Sequence, residues 1–110
     1  MADIKVADFC KRLTNRNKSQ GDGEHTAEEF RNSFMSQCLK EDFWAGREII
    51  TFDFSDVIKI GPSFANEAFA FFMGKFNVDK KKFNEHIKFK NISRVQNLII
   101  QQELDSGYSK

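Results

Sequence analysis

Two cysteines, one proline and no excess of charge of either sign are what this sequence has little of. Cys10 and Cys38 stand far apart without a CxxC pair, which favours two free, mostly buried thiols in a reducing compartment over a disulfide. Seventeen basic residues against 16 acidic leave a formal charge of +1, so no global field draws the chain to nucleic acid or anionic lipid. No stretch reaches the roughly 20 apolar residues of a membrane span, and "MADIKVADF" lacks the basic-then-apolar order of a signal peptide; a cytoplasmic protein is expected. No repeat of about 20 to 50 residues marks a solenoid. His25, His86 and the two cysteines stand at no metal-ligand spacing, and no Ser-His-Asp or Cys-His arrangement can be placed. No metal, cofactor or catalytic residue is therefore expected.

What the chain has instead is phenylalanine, 13 of its 110 residues. Rings of that kind bury large apolar area without a polar group that needs a partner, and 110 residues suffice for one core. "DIKVADFC" reads as a strand through Ile4 and Val6. Residues 12–25 read as a mobile loop, punctuated by the turn dipeptide Asp22-Gly23. Thr26 and Glu29 form a capping box. The helix it opens carries Ala27, Phe30, Phe34 and Cys38 on its apolar stripe, with Arg31, Lys40 and Glu41 toward solvent, and ends near Asp42 or Phe43.

"EIITFDFSDV" alternates Ile50, Phe52 and Phe54 with Ile49, Thr51 and Asp53, the pattern of a half-buried strand. Gly61-Pro62 breaks the run that follows, and Pro62 suits the first turn of a helix. That helix is apolar through Phe64, Ala68, Phe69, Phe72 and Phe76, leaving Asn66, Glu67, Gly74 and Lys75 to meet water. Lys80, Lys81 and Lys82 read as a basic turn and "HIKFK" as a strand. "NISRVQNLIIQQEL" reads as a final helix with Ile92, Val95, Leu98 and Ile99 inward, followed by a frayed tail at 105–110. The alternation of strand and helix predicts a single α/β domain, a short sheet covered by helices.

The stretches "GDGEHTAEEFRNSF", "ITFDFSDVIKIGPSFANEAFAFF" and "HIKFKNISRVQNLII" resemble a STAS-like family of unknown function, relatives of anti-sigma-factor antagonist domains. The matching positions are Asp53, Phe54, Ser63, Phe64, Asn66 and Glu67. The resemblance covers roughly residues 20–105 and implies a STAS-like α/β fold with a short mixed sheet and a non-enzymatic regulatory role; residues 1–110 are expected to form one such domain. In the antagonist relatives a serine or threonine at a strand-to-helix turn is phosphorylated by a histidine-kinase-fold ATPase. Here the turn is Gly61-Pro62-Ser63, where Gly61, Pro62 and Phe64 depart from the usual Asp-Ser-Ser-Gly.

A partner-binding rim of Ser63, Asn66, Glu67 and Asp56 is therefore expected, with a protein partner such as a histidine-kinase-fold ATPase. Ser63 is read first as the residue that caps the helix, worth about 1 kcal/mol, and second as a phosphosite. The alternative is a nucleic-acid-binding or phage- or defence-related protein that uses the Lys80–Lys90 region, part of a basic run from Lys75 in which lysines interleave with Phe76, Phe83 and Phe89. Strand alternation opposes it, because Phe89 points inward where Lys88 and Lys90 point out.

Overall fold

The computed structural model describes residues 2–14 and 26–108. Strands β1 (Ala2–Lys5), β3 (Ile50–Asp53) and β5 (Ile87–Lys90) form a sheet in that order. A second pair joins β2 (Arg12–Leu13) to β4 (Lys59–Ile60). Every one of these pairings is parallel, where a mixed sheet was expected. Each return along the chain crosses over through helix, the long connection that parallel neighbours require. β2 also occupies the start of the stretch expected to be a mobile loop; the rest of that loop, 15–25, lies outside the described residues.

Register assigns the two faces of the larger sheet. Ile4, Phe52 and Phe89 stand side by side, as do Lys5, Asp53 and Lys90 one position on. The first row packs into the core; Asp3, Lys5, Lys88 and Lys90 are exposed on the other face, where Lys90 pairs with Asp3 across β3. The helices accordingly gather on the phenylalanine side.

α1 (Ala27–Phe34) starts at Thr26, whose hydroxyl accepts from the Glu29 N–H at 3.1 Å. It stops earlier than its apolar stripe suggests. A 3-10 turn (Ser36–Leu39) and α2 (Glu41–Ala45) follow, and the Trp44 indole N–H donates to the Cys38 carbonyl at 2.8 Å, tying the two together. Lys80–Lys82, expected in a turn, instead open α5 (Lys80–His86). Cations at a helix N-terminus oppose its dipole, and the Asp79 carboxylate offsets this by accepting from the Lys82 N–H at 2.8 Å.

The central helix runs as α3 (Pro62–Ala65), a π turn (Asn66–Ala70) and α4 (Phe71–Phe76). Every residue from Phe64 to Ala70 is buried. Phe69 sits at the middle of the core, its ring within 6.2 Å of those of Phe30, Phe52, Phe83 and Phe89. α6 (Arg94–Ser106) opens with a reciprocal Ser93–Gln96 capping box and ends at Gly107, whose φ of 78° favours glycine. Its inward phase differs from expectation. Gln96, Ile100 and Leu104 are buried, while Val95 and Leu98 are 66% and 54% exposed. The tail is not frayed as far as Tyr108, which packs on Phe71 and Gly74; Ser109 and Lys110 lie outside the described residues.

Replacing Phe69 with alanine removes a ring shared by four others and should cost about 3–5 kcal/mol. Urea unfolding of Phe69→Ala against wild type measures it, and a loss below about 1 kcal/mol would contradict this packing.

Candidate functional site

Ser63 is exposed at the surface end of the central helix, but it is not the cap. Gly61 holds the N-cap position with φ −98° and ψ 158°, Pro62 occupies the first helical position, and no side chain bonds the first turn. The β2–β4 pair fixes the approach, because the Gly61 N–H donates to the Leu13 carbonyl at 2.8 Å. Pro62, also exposed, then sets the helical φ at the corner.

Asn66 and Glu67 do not share that surface. They are 1% and 2% exposed, which corrects the expectation that they meet water. Three to four residues beyond Ser63 the π turn has carried the chain inside, and both side chains are satisfied there. Arg31, expected toward solvent and in fact 6% exposed, reaches Glu67 from α1. Its Nη1 donates to the carboxylate at 2.6 Å and to the Glu67 carbonyl at 2.7 Å, while the guanidinium lies 3.7 Å above the Phe71 ring. The Tyr108 hydroxyl donates to the same carboxylate at 3.0 Å. Asn66 Nδ2 donates to the Gly107 carbonyl at 2.9 Å and to Glu103 at 3.2 Å.

These contacts join α1, the central helix and the end of α6 through one buried charge pair. Among the described residues Arg31 Nε has no hydrogen-bond partner, so the guanidinium is held there through Nη1, by the carboxylate and the Glu67 carbonyl, and by the ring. Sequence reasoning missed Arg31 and Tyr108. The available signal was Asn66-Glu67 inside an apolar helix, since buried polar groups require partners; nothing in the sequence says which residues supply them.

Asp56 is exposed and lies 3.5 Å from the Lys5 ammonium. Its φ of 68° belongs to the turn organised by Asp53. One oxygen of Asp53 accepts from the Ser55 hydroxyl at 2.7 Å, the Ser55 N–H at 2.9 Å and Asn91 Nδ2 at 3.0 Å. Those bonds, with Lys90 nearby, lower the Asp53 carboxyl from 3.8 to about 2. Burial and the charge of Glu48 raise the Cys38 thiol to about 12, leaving it protonated and inert; Cys10 is half-buried and also free.

The Lys80–Lys90 region offers no face of lysines and rings together. Phe83 is buried and Phe89 packs on Phe52, Phe54 and Phe69, while Lys80 pairs with Asp105 at 2.9 Å. Among the described residues, no group of three or more His, Cys, Asp and Glu could hold a metal, and no helix is long and apolar enough to cross a membrane.

A family model described as a STAS-like domain of unknown function matches residues 26–96. That span holds Arg31, Asp53, Ser63 and Glu67 and stops before Tyr108. No curated protein and no solved structure matches the chain.

Glu67→Leu strands the Arg31 charge in the core and should cost about 3–5 kcal/mol, whereas Arg31→Met combined with Glu67→Leu should cost clearly less; urea unfolding of the three proteins decides. Removing a donor from Asp53 gives a second check. Because the folded value is depressed, the turn's stabilisation is present above 3.8 and lost as pH falls toward about 2. Asn91→Ala should raise the Asp53 carboxyl toward 3.8 in an NMR titration, and an unchanged midpoint would show that Asn91 contributes nothing.

Proposed function

The chain belongs to the family of STAS-like domains of unknown function, and from that premise we propose that it is a non-enzymatic cytoplasmic module that binds a regulatory protein at the strand-to-helix corner around Ser63. The observation that carries this reading is the contrast along the central helix. Pro62 and Ser63 are exposed, and every residue from Phe64 to Ala70 is buried. A partner that touches this corner meets two residues already ordered by a helix anchored in the core, so docking forfeits little conformational entropy.

Asp56 adds a second exposed polar group on the connection that precedes the corner. Asn66 and Glu67 serve as the anchor of the helix and not as contacts. The partner is a histidine-kinase-fold ATPase or another regulatory protein, by similarity to the antagonist domains. A phosphate on Ser63 would add about −1.5 to −2 charges at pH 7 on the surface that the partner reads, next to the positive end of the central helix.

Affinity-tagged full-length chain, recovered from its native cell, tests this. Wild type and Ser63→Ala should bring down the same regulatory protein, and Ser63→Glu should recover about tenfold less of it. Equal recovery with all three, or no partner with any, would sink the proposal.

A further inference from the structure

Ile58, Val95 and Leu98 are the large apolar side chains exposed among the described residues, at 56%, 66% and 54%. They come from two segments that the fold brings side by side. Gln96 turns inward and its Nε2 donates to the Val57 carbonyl at 3.2 Å, which sets the first turns of α6 beside the Val57-Ile58 connection. The same inward turn of Gln96 puts Val95 outward, with Leu98 one helical turn further on. A helix rich enough in Ile, Val and Leu to bury either phase thus buries a glutamine and presents two aliphatic residues to water.

The charge around these residues is mostly positive, and Asp56, two residues before Ile58, is paired with Lys5. The Ile58 and Lys59 N–H groups donate to the Lys11 carbonyl at 2.7 and 3.3 Å. Arg12 stands beside Lys59 in the parallel register, with Leu13 and Ile60 buried beneath. Arg94 precedes Val95 at the start of α6. Lys11, Arg12, Lys59 and Arg94 are all exposed, and none takes part in the ion pairs among the described residues, which use Lys5, Arg31, Lys80 and Lys90.

We propose that this surface, Ile58, Val95 and Leu98 flanked by Lys11, Arg12, Lys59 and Arg94, docks an acidic amphipathic helix of a partner protein. Aliphatic residues spaced one turn apart fit the apolar face of such a helix, and four unpaired cations select Asp and Glu on its flanks. A second copy of this chain is disfavoured, because a two-fold pairing would set the same cations against one another. Single-stranded nucleic acid is disfavoured because no aromatic ring stands here for a base to stack on. The inference rests on the reading of the Ser63 corner, which lies five residues beyond Ile58, and gives that corner's partner its chemistry.

The test pans a phage library of random helical peptides on the full-length chain and measures synthetic copies of the winners by fluorescence anisotropy. Enriched peptides should carry Asp or Glu beside apolar residues three or four positions apart. Their affinity should fall about tenfold or more with Leu98→Asp, and again with Lys59→Glu combined with Arg94→Glu. Since Leu98 is more than half exposed, the circular dichroism spectrum of Leu98→Asp should match wild type. Enrichment of neutral or basic peptides, or affinity unmoved by Leu98→Asp, would overturn the proposal. So would a dimer in sedimentation, or binding to phosphatidylserine vesicles, that Leu98→Asp abolishes. If Leu98→Asp keeps a cellular partner that Ser63→Glu loses, this surface is wrong and the corner stands. If Leu98→Asp loses the acidic peptides while Ser63→Glu keeps the cellular partner, the surface stands and the corner is wrong.

Discussion

The buried pair between Arg31 and Glu67 is the contact on which the arrangement of the helices depends. A carboxylate 2% exposed cannot remain ionised in an apolar core without a cation and further donors close by. Glu67 has both, from α1 through Arg31 and from the end of the chain through Tyr108. Its neighbour Asn66 holds the Gly107 carbonyl. Apolar packing would tolerate several rotations of α1 and α6 against the central helix, whereas a guanidinium bonded to both a side chain and a main-chain oxygen of one residue tolerates few. The π turn belongs to the same constraint, because it sets the phase at which Asn66 and Glu67 face their two different partners.

Fixing the central helix from within also fixes where it emerges. Its first two residues, Pro62 and Ser63, are the ones left at the surface, and the β2–β4 pair holds the chain that delivers them. That small pair places Lys59 beside Arg12, and the Gln96 contact with Val57 brings α6 alongside. Corner, cations and aliphatic residues thus share a single structural cause: two residues of β4 pinned between the N-terminal segment and the start of α6. The larger sheet contributes differently. Its outer face carries charged residues organised around Asp53 and Lys90, which keeps that face hydrated and leaves the phenylalanine face to the helices.

Much of this was legible in the residues. Thr26 and Glu29 marked the start of α1, the alternation of Ile50, Phe52 and Asp53 marked β3, and Gly61-Pro62 marked the entry to the central helix. Each depends on contacts within four residues, which is the range over which a sequence constrains itself. The resemblance carried by "TFDFSDV" and "GPSFANEAF" gave the family. Expectation failed where polarity was read as exposure. Asn66, Glu67 and Arg31 read as water-facing because each is polar, and all three are buried: Arg31 and Glu67 satisfy each other 36 residues apart, and Asn66 finds Glu103 and Gly107 at the end of α6. It failed again on α6, where Val95, Leu98, Ile99, Ile100 and Leu104 cover so much of the helix that two inward phases fit equally well. The Ser93–Gln96 capping box and the Val57 carbonyl chose between them.

By itself, then, the sequence determined the local choices: a phenylalanine core, the positions of the caps, the strand pattern of β3 and the break at Pro62. Each follows from steric and hydrogen-bonding preferences of neighbouring residues. Only the tertiary structure decided that Ser63 stands at the surface without capping its helix, that Asn66 and Glu67 anchor the helix from inside, and that Val95 and Leu98 face water. Those outcomes turn on which distant group satisfies a buried polar atom, and such pairings exist only once the chain has folded around them.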